Sequence, residues 1–87
     1  MMNKLILYQY INRIKKEDII MFGIKQGIVI KQKETDLIYN YIKNDYERII
    51  NNPMNIIIEI KDKVSEAVYQ KILELYDKHK DILEKIK

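Results

Sequence analysis

At 87 residues the chain is too short for two ordinary domains, so a single helical domain over residues 1–87 with one compact core is expected. It holds no cysteine, which excludes disulfides, thiolate metal sites and cysteine nucleophiles and suits a reducing cytoplasm. The net charge of +3 comes from 16 basic and 13 acidic residues, and the two halves differ: residues 1–44 carry eight basic and four acidic side chains, residues 45–87 eight and nine. Any electrostatic footprint for an anionic partner is therefore expected in the N-terminal half.

No apolar run approaches the roughly 20 residues that a membrane helix needs. Lys4 is followed by only four apolar residues before Gln9, which is not the pattern of a signal peptide. A cytoplasmic protein without a membrane partner is expected. Ile, Lys, Asn and Tyr make up more than half of the chain, and the only arginines are Arg13 and Arg48. A/T-rich codons produce that bias unaided, so the lysine excess says little about nucleic acid, for which arginine is the preferred reader.

In chain order, Leu7, Tyr10, Ile11 and Ile14 form an i, i+3, i+4, i+7 stripe and predict a first helix from about Asn3, its N-cap, to Arg13. A second helix is predicted from about Glu17 to Gln26, opened by Glu17 and Asp18 and ended by Gly27 in a left-handed conformation. Its apolar residues Ile19, Ile20, Met21, Phe22 and Ile24 surround most of the helix, which predicts a central place in the core. Ile28-Val29-Ile30 reads as a short extended connector, with strand pairing as the alternative. A long third helix is predicted from about Lys33 to Ile50, with Leu37, Ile38, Tyr41, Ile42, Tyr46 and Ile49 inward. Asn52 can cap a short helix that starts at Pro53, where a missing N–H costs nothing, and ends near Lys63. Ser65 is a natural N-cap for a last helix running to the end, with Val68, Ile72, Leu75, Tyr76, Ile82, Leu83 and Ile86 along one stripe. The fold class is all-α: a compact bundle of about five helices with a long C-terminal one.

The run Ile14-Lys15-Lys16-Glu17-Asp18-Ile19, Gly27 before an apolar pair, Asp36-Leu37-Ile38 with Tyr41-Ile42, and the later Asn52-Pro53 and Leu75-Tyr76 resemble a family of short helical proteins from low-GC Gram-positive bacteria, a domain of unknown function. The resemblance implies a bacterial protein and a helical fold, and it implies no activity. The chain departs from that pattern where a Ser or Thr cap is usual before helices two and three: Lys15 and Lys31-Gln32-Lys33 stand there instead. The layout from Ile19 to Tyr41 also resembles the helix–extended–helix modules of the SAP kind, which bind DNA backbones. That likeness implies phosphate contacts at Lys25, Lys31 and Lys33, although Glu34 and Asp36 at the same helix start repel phosphate.

His79 is the one histidine, and with no cysteine it leaves little from which to build a zinc site. Helical spacing sets it beside Tyr76, Ile82 and Leu83, which predicts a half-buried packing residue. Ser65 and His79 lie fourteen residues apart on one predicted helix, about 21 Å, too far to act as a pair. The acidic pairs Glu17-Asp18 and Glu34/Asp36 sit at helix starts, where the dipole accounts for them. Gly23 and Gly27 match no phosphate loop. Among the seven tyrosines, Tyr8 and Tyr39 fall off their stripes and are the expected exposed pair. No catalytic, cofactor or metal residue is assigned, and an enzyme is not expected. The expected function is a small helical interaction module, binding a protein or a second copy through Ile82, Leu83 and Ile86. The alternative is a nucleic-acid-backbone binder through Lys25, Lys31 and Lys33.

Overall fold

In a computed structural model the chain forms six α-helices: α1 (Lys4–Arg13), α2 (Lys16–Lys25), α3 (Gln32–Asn44), α4 (Tyr46–Asn51), α5 (Pro53–Ile60) and α6 (Glu66–Ile86). The structure describes residues 4–86, with the side chains of Lys4, Leu7, Leu83 and Ile86 outside the described set. The Asn3 cap and the inward place of Leu7 thus lie outside the described residues. The all-α class holds, and no strand occurs among the described residues, so 28–30 is the connector.

The long third helix of the sequence reading is two helices. Asp45 leaves helical geometry at φ −125° and ψ 25°, ending α3 and opening α4. Asn44 and Asp45 supply the reason: short polar side chains compete with the helical backbone for hydrogen bonds, and no apolar residue at either position opposes the break. The bend brings Ile50 into the core.

Local punctuation explains the other boundaries. Gly27, at φ 76°, ends α2. Its N–H bonds the Ile24 carbonyl while the Ile28 N–H bonds the Gly23 carbonyl, both at 3.0 Å, the paired bonds of a Schellman turn. The missing Ser/Thr caps of α2 and α3 are replaced from inside each helix. Asp18 accepts the Lys15 N–H and Glu34 the Lys31 N–H, each at 2.9 Å. Pro53 occupies the first turn of α5, and the Ser65 hydroxyl accepts the Val68 N–H at 3.3 Å at the start of α6.

Among the described residues the buried apolar ones are few: Ile11, Ile19, Ile50, Ile56, Ile57, Ile60 and Val68. Most of them come from α4, α5 and α6. The helix α2 is not central. Only Ile19 and Gly23 are buried on it, and Ile20, Met21, Phe22 and Ile24 face outward. A helix with one principal packing partner, α3, cannot bury its whole circumference. Tyr10 was expected inward as well and is exposed, because α1 meets the rest of the chain mainly through Ile11. The Lys43 ammonium donates to the Ile11 carbonyl at 2.5 Å, and the Tyr8 and Tyr46 rings lie 5.9 Å apart, which together hold α1 in place.

Candidate functional site: an apolar furrow between α3 and α6

Helix α3 packs on α1, α2 and α4, while α6 packs on α4 and α5. Between α3 and α6 lies an apolar furrow open to solvent. Ile38 and Ile42 project into it from α3 at i, i+4, and Ile72 and Leu75 from α6 at i, i+3, so each pair shares one helix face. These four residues line both of its chambers. One, of about 330 Å³, extends toward α4 and α5 past Ile49, Pro53 and Ile57, with Tyr41, Tyr76 and His79 also on its wall. The other, of about 300 Å³, extends toward α2 past Phe22, Ile28 and Ile30, where Asp18 and Lys71 are the charged lining residues.

A polar cluster borders the first chamber. The Tyr41 hydroxyl donates to Glu59 at 3.0 Å, and Arg48 pairs with Glu59 and, at 3.7 Å, with Asp45. The Tyr41 hydroxyl bond and the Arg48 guanidinium hold the Glu59 carboxyl below its ordinary range. The furrow floor itself offers hydrocarbon. It can accept apolar side chains.

The accessible surface of the protein is 6344 Å², whereas a compact monomer of 10.6 kDa exposes about 5,500 Å². The surplus has an apolar component on α2 and the connector, where Ile24 is 63% and Val29 82% exposed. Sequence reading missed both the furrow and this face. The signal available was Gly23, the one position on α2 without a side chain, which marks the side that meets a neighbour.

The sequence-assigned residues fall in separate places. Ile82 is 54% exposed on α6, and Leu83 and Ile86 lie outside the described side chains. From Asp77 onward every described side chain of α6 is exposed. Lys25 closes α2, and Lys31 and Lys33 open α3; all three are exposed. The α3 start also carries Glu34, buried and bound to backbone N–H groups, and Asp36, which pairs with Lys16 at 3.0 Å. His79 is exposed instead of half-buried, because the chamber it lines is open to solvent. Tyr8 is exposed as expected. Tyr39 is not: it is half-buried between the Lys16 and Lys43 ammonium groups, each 5.5 Å from its ring centroid.

Among the described residues no three His, Asp or Glu side chains converge as a metal site, and no helix is long and apolar enough to cross a membrane. Comparison with protein-family models, with curated proteins and with solved structures finds no match.

Proposed function

We propose that this protein is a small helical module that binds another polypeptide, accepting an amphipathic helix in the furrow between α3 and α6. The observation that carries the reading is the furrow itself: four aliphatic side chains from two helices form a continuous apolar floor that the chain leaves open. An apolar surface left open in water costs roughly 25 cal/mol per Å², and covering it drives association. Helix-in-groove recognition uses this geometry, with i, i+3, i+4 and i+7 anchors. The reading is non-enzymatic and places the protein in the cytoplasm, in keeping with the absence of cysteine.

The nucleic-acid alternative is the less favoured because the α3 N-terminus is already occupied. The Glu34 carboxylate compensates the helix dipole where a phosphate would have to sit.

The test is a photo-crosslinker, p-benzoylphenylalanine, in place of Tyr76 on the furrow wall, irradiated in the source cell. A protein adduct that survives nuclease, and is lost when Ile38→Glu charges the furrow floor, is expected. Adducts to nucleic acid alone, or none, defeat the proposal.

A further inference from the structure

We infer that the occupant of the furrow is a second copy of this chain, which inserts the C-terminal turns of its α6 antiparallel to the first; the inference rests on the furrow being a polypeptide-binding site. The sequence of α6 is self-complementary about one residue. Counting from His79, Tyr76 and Ile82 stand three positions away, Leu75 and Leu83 four, and Ile72 and Ile86 seven. At 100° per residue all seven positions fall within about 60° of His79 around the helix. An apolar stripe symmetric about its midpoint is what an antiparallel two-fold pair of identical helices requires, since residue 79+k then meets residue 79−k of its mate.

The fold divides this stripe into a seat and an insert. Ile72, Leu75, Tyr76 and His79 line the furrow, and in the turns that follow every described side chain is exposed. The helix has 21 residues, about 31 Å, against a longest dimension of the protein of 32 Å. The C-terminal end of α6 in one copy therefore carries Ile82, which its own body leaves 54% exposed. The furrow of the other copy lacks a cover of that pattern. One symmetric contact satisfies both deficits, with Ile82 of each chain set against Tyr76 of the other.

Charge adds a signature. Lys78 and Lys85 follow one another along one edge of the stripe, where Lys71 is paired with Glu74 at 3.2 Å, and the antiparallel pairing sets that edge beside its own copy. Screening this repulsion favours the pair, so added salt tightens self-association.

Sedimentation equilibrium of the full chain tests the inference, together with disulfide trapping, which the cysteine-free sequence makes clean. The wild type is expected to be a dimer that dissociates on dilution and strengthens with salt. Ile82→Glu is expected to weaken it by about tenfold or more, with helicity unchanged because the site is solvent-exposed. His79→Cys is expected to form an intermolecular disulfide under mild oxidation. On the two-fold axis, helices packed 8–10 Å apart bring like Cα atoms within disulfide reach. Asp81→Cys, on the opposite face of α6, is expected to stay reduced. A wild type that stays monomeric through the micromolar range overturns the inference, as does a dimer indifferent to Ile82→Glu or one trapped equally well at position 81. The Tyr76 crosslink separates the two claims: an adduct of twice the chain mass supports both, a heterologous protein adduct from a monomeric wild type leaves only the binding role standing, and no protein adduct removes both.

Discussion

The Glu34 carboxylate accepts the backbone N–H of Ser65 at 2.5 Å, joining the first turn of α3 to the start of α6 across 31 residues of chain. The same carboxylate accepts the Lys31 N–H. Burial raises its pKa, but the Ser65 and Lys31 N–H bonds, the Ser65 hydroxyl and the Lys31 charge together outweigh burial, and the carboxyl lies below its ordinary value of 4.5. A carboxyl whose pKa is lowered by folding contributes stability that is present above the unfolded value and is lost as pH falls through the folded one. Glu34→Gln is expected to cost about 1.5–3 kcal/mol at neutral pH, the range for hydrogen bonds to a charged group. Denaturant melts at several pH values should show the gap between wild type and variant narrowing below about pH 4.5. A gap that is constant down to strong acid would show that the carboxylate charge contributes nothing to the joint.

Gly23 and Ile30 give a second prediction. A Cβ at position 23 lies 2.7 Å from Ile30 Cδ1 and 2.8 Å from its Cγ1, closer than such atoms approach. Gly23→Ala gains about 0.8–1 kcal/mol in helix propensity but forces Ile30 aside, and overpacking costs typically 1–3 kcal/mol. A net loss of stability is expected. The double change Gly23→Ala with Ile30→Val should recover part of it, and a double-mutant cycle in thermal melts measures the coupling.

Adjacent residues of α5 test the placement of the core. Ile57 is 4% exposed and Ile58 62%. Ile57→Ala is expected to cost about 2–5 kcal/mol, and Ile58→Ala to stay within about 0.5 kcal/mol of wild type. Comparable losses at the two positions would contradict the orientation of α5.

Much of this architecture can be read from residue types. Gly27, Pro53 and Ser65 mark real boundaries because each acts through its own backbone or the adjacent turn, with no help from distant parts of the chain. The break at Asp45 is harder to see. Tyr41, Ile42, Tyr46 and Ile49 keep a helical period across it, and periodicity does not register a change of helix direction. The outward face of α2 is illegible for a different reason. Four apolar residues around one helix state that it needs cover, while the number of neighbours it obtains is a tertiary fact. The furrow follows the same logic: its α3 and α6 residues are each on a predictable stripe, but whether two stripes close on one another is decided by the connections between them.

A binder of DNA backbones would depend on Lys31 and Lys33. Because Glu34 and Asp36 share their helix start, no mobility shift of duplex DNA is expected even near 50 mM salt, where non-specific contacts are favoured. A shift abolished by Lys31→Glu with Lys33→Glu would revive the nucleic-acid reading.

The uneven distribution of buried residues has a kinetic consequence. Ile50, Ile56, Ile57, Ile60 and Val68 gather in the segment from α4 to the first turn of α6, whereas among the described side chains α1 contributes Ile11 and α2 contributes Ile19. Amide hydrogens of α5 should therefore exchange with solvent only through global unfolding. Those of α1 should exchange through cheap local openings that leave the rest intact. Proteolysis under native conditions should accordingly begin near Ile14 and Lys15, between α1 and α2, and release the first helix while the α4–α6 segment is still folded.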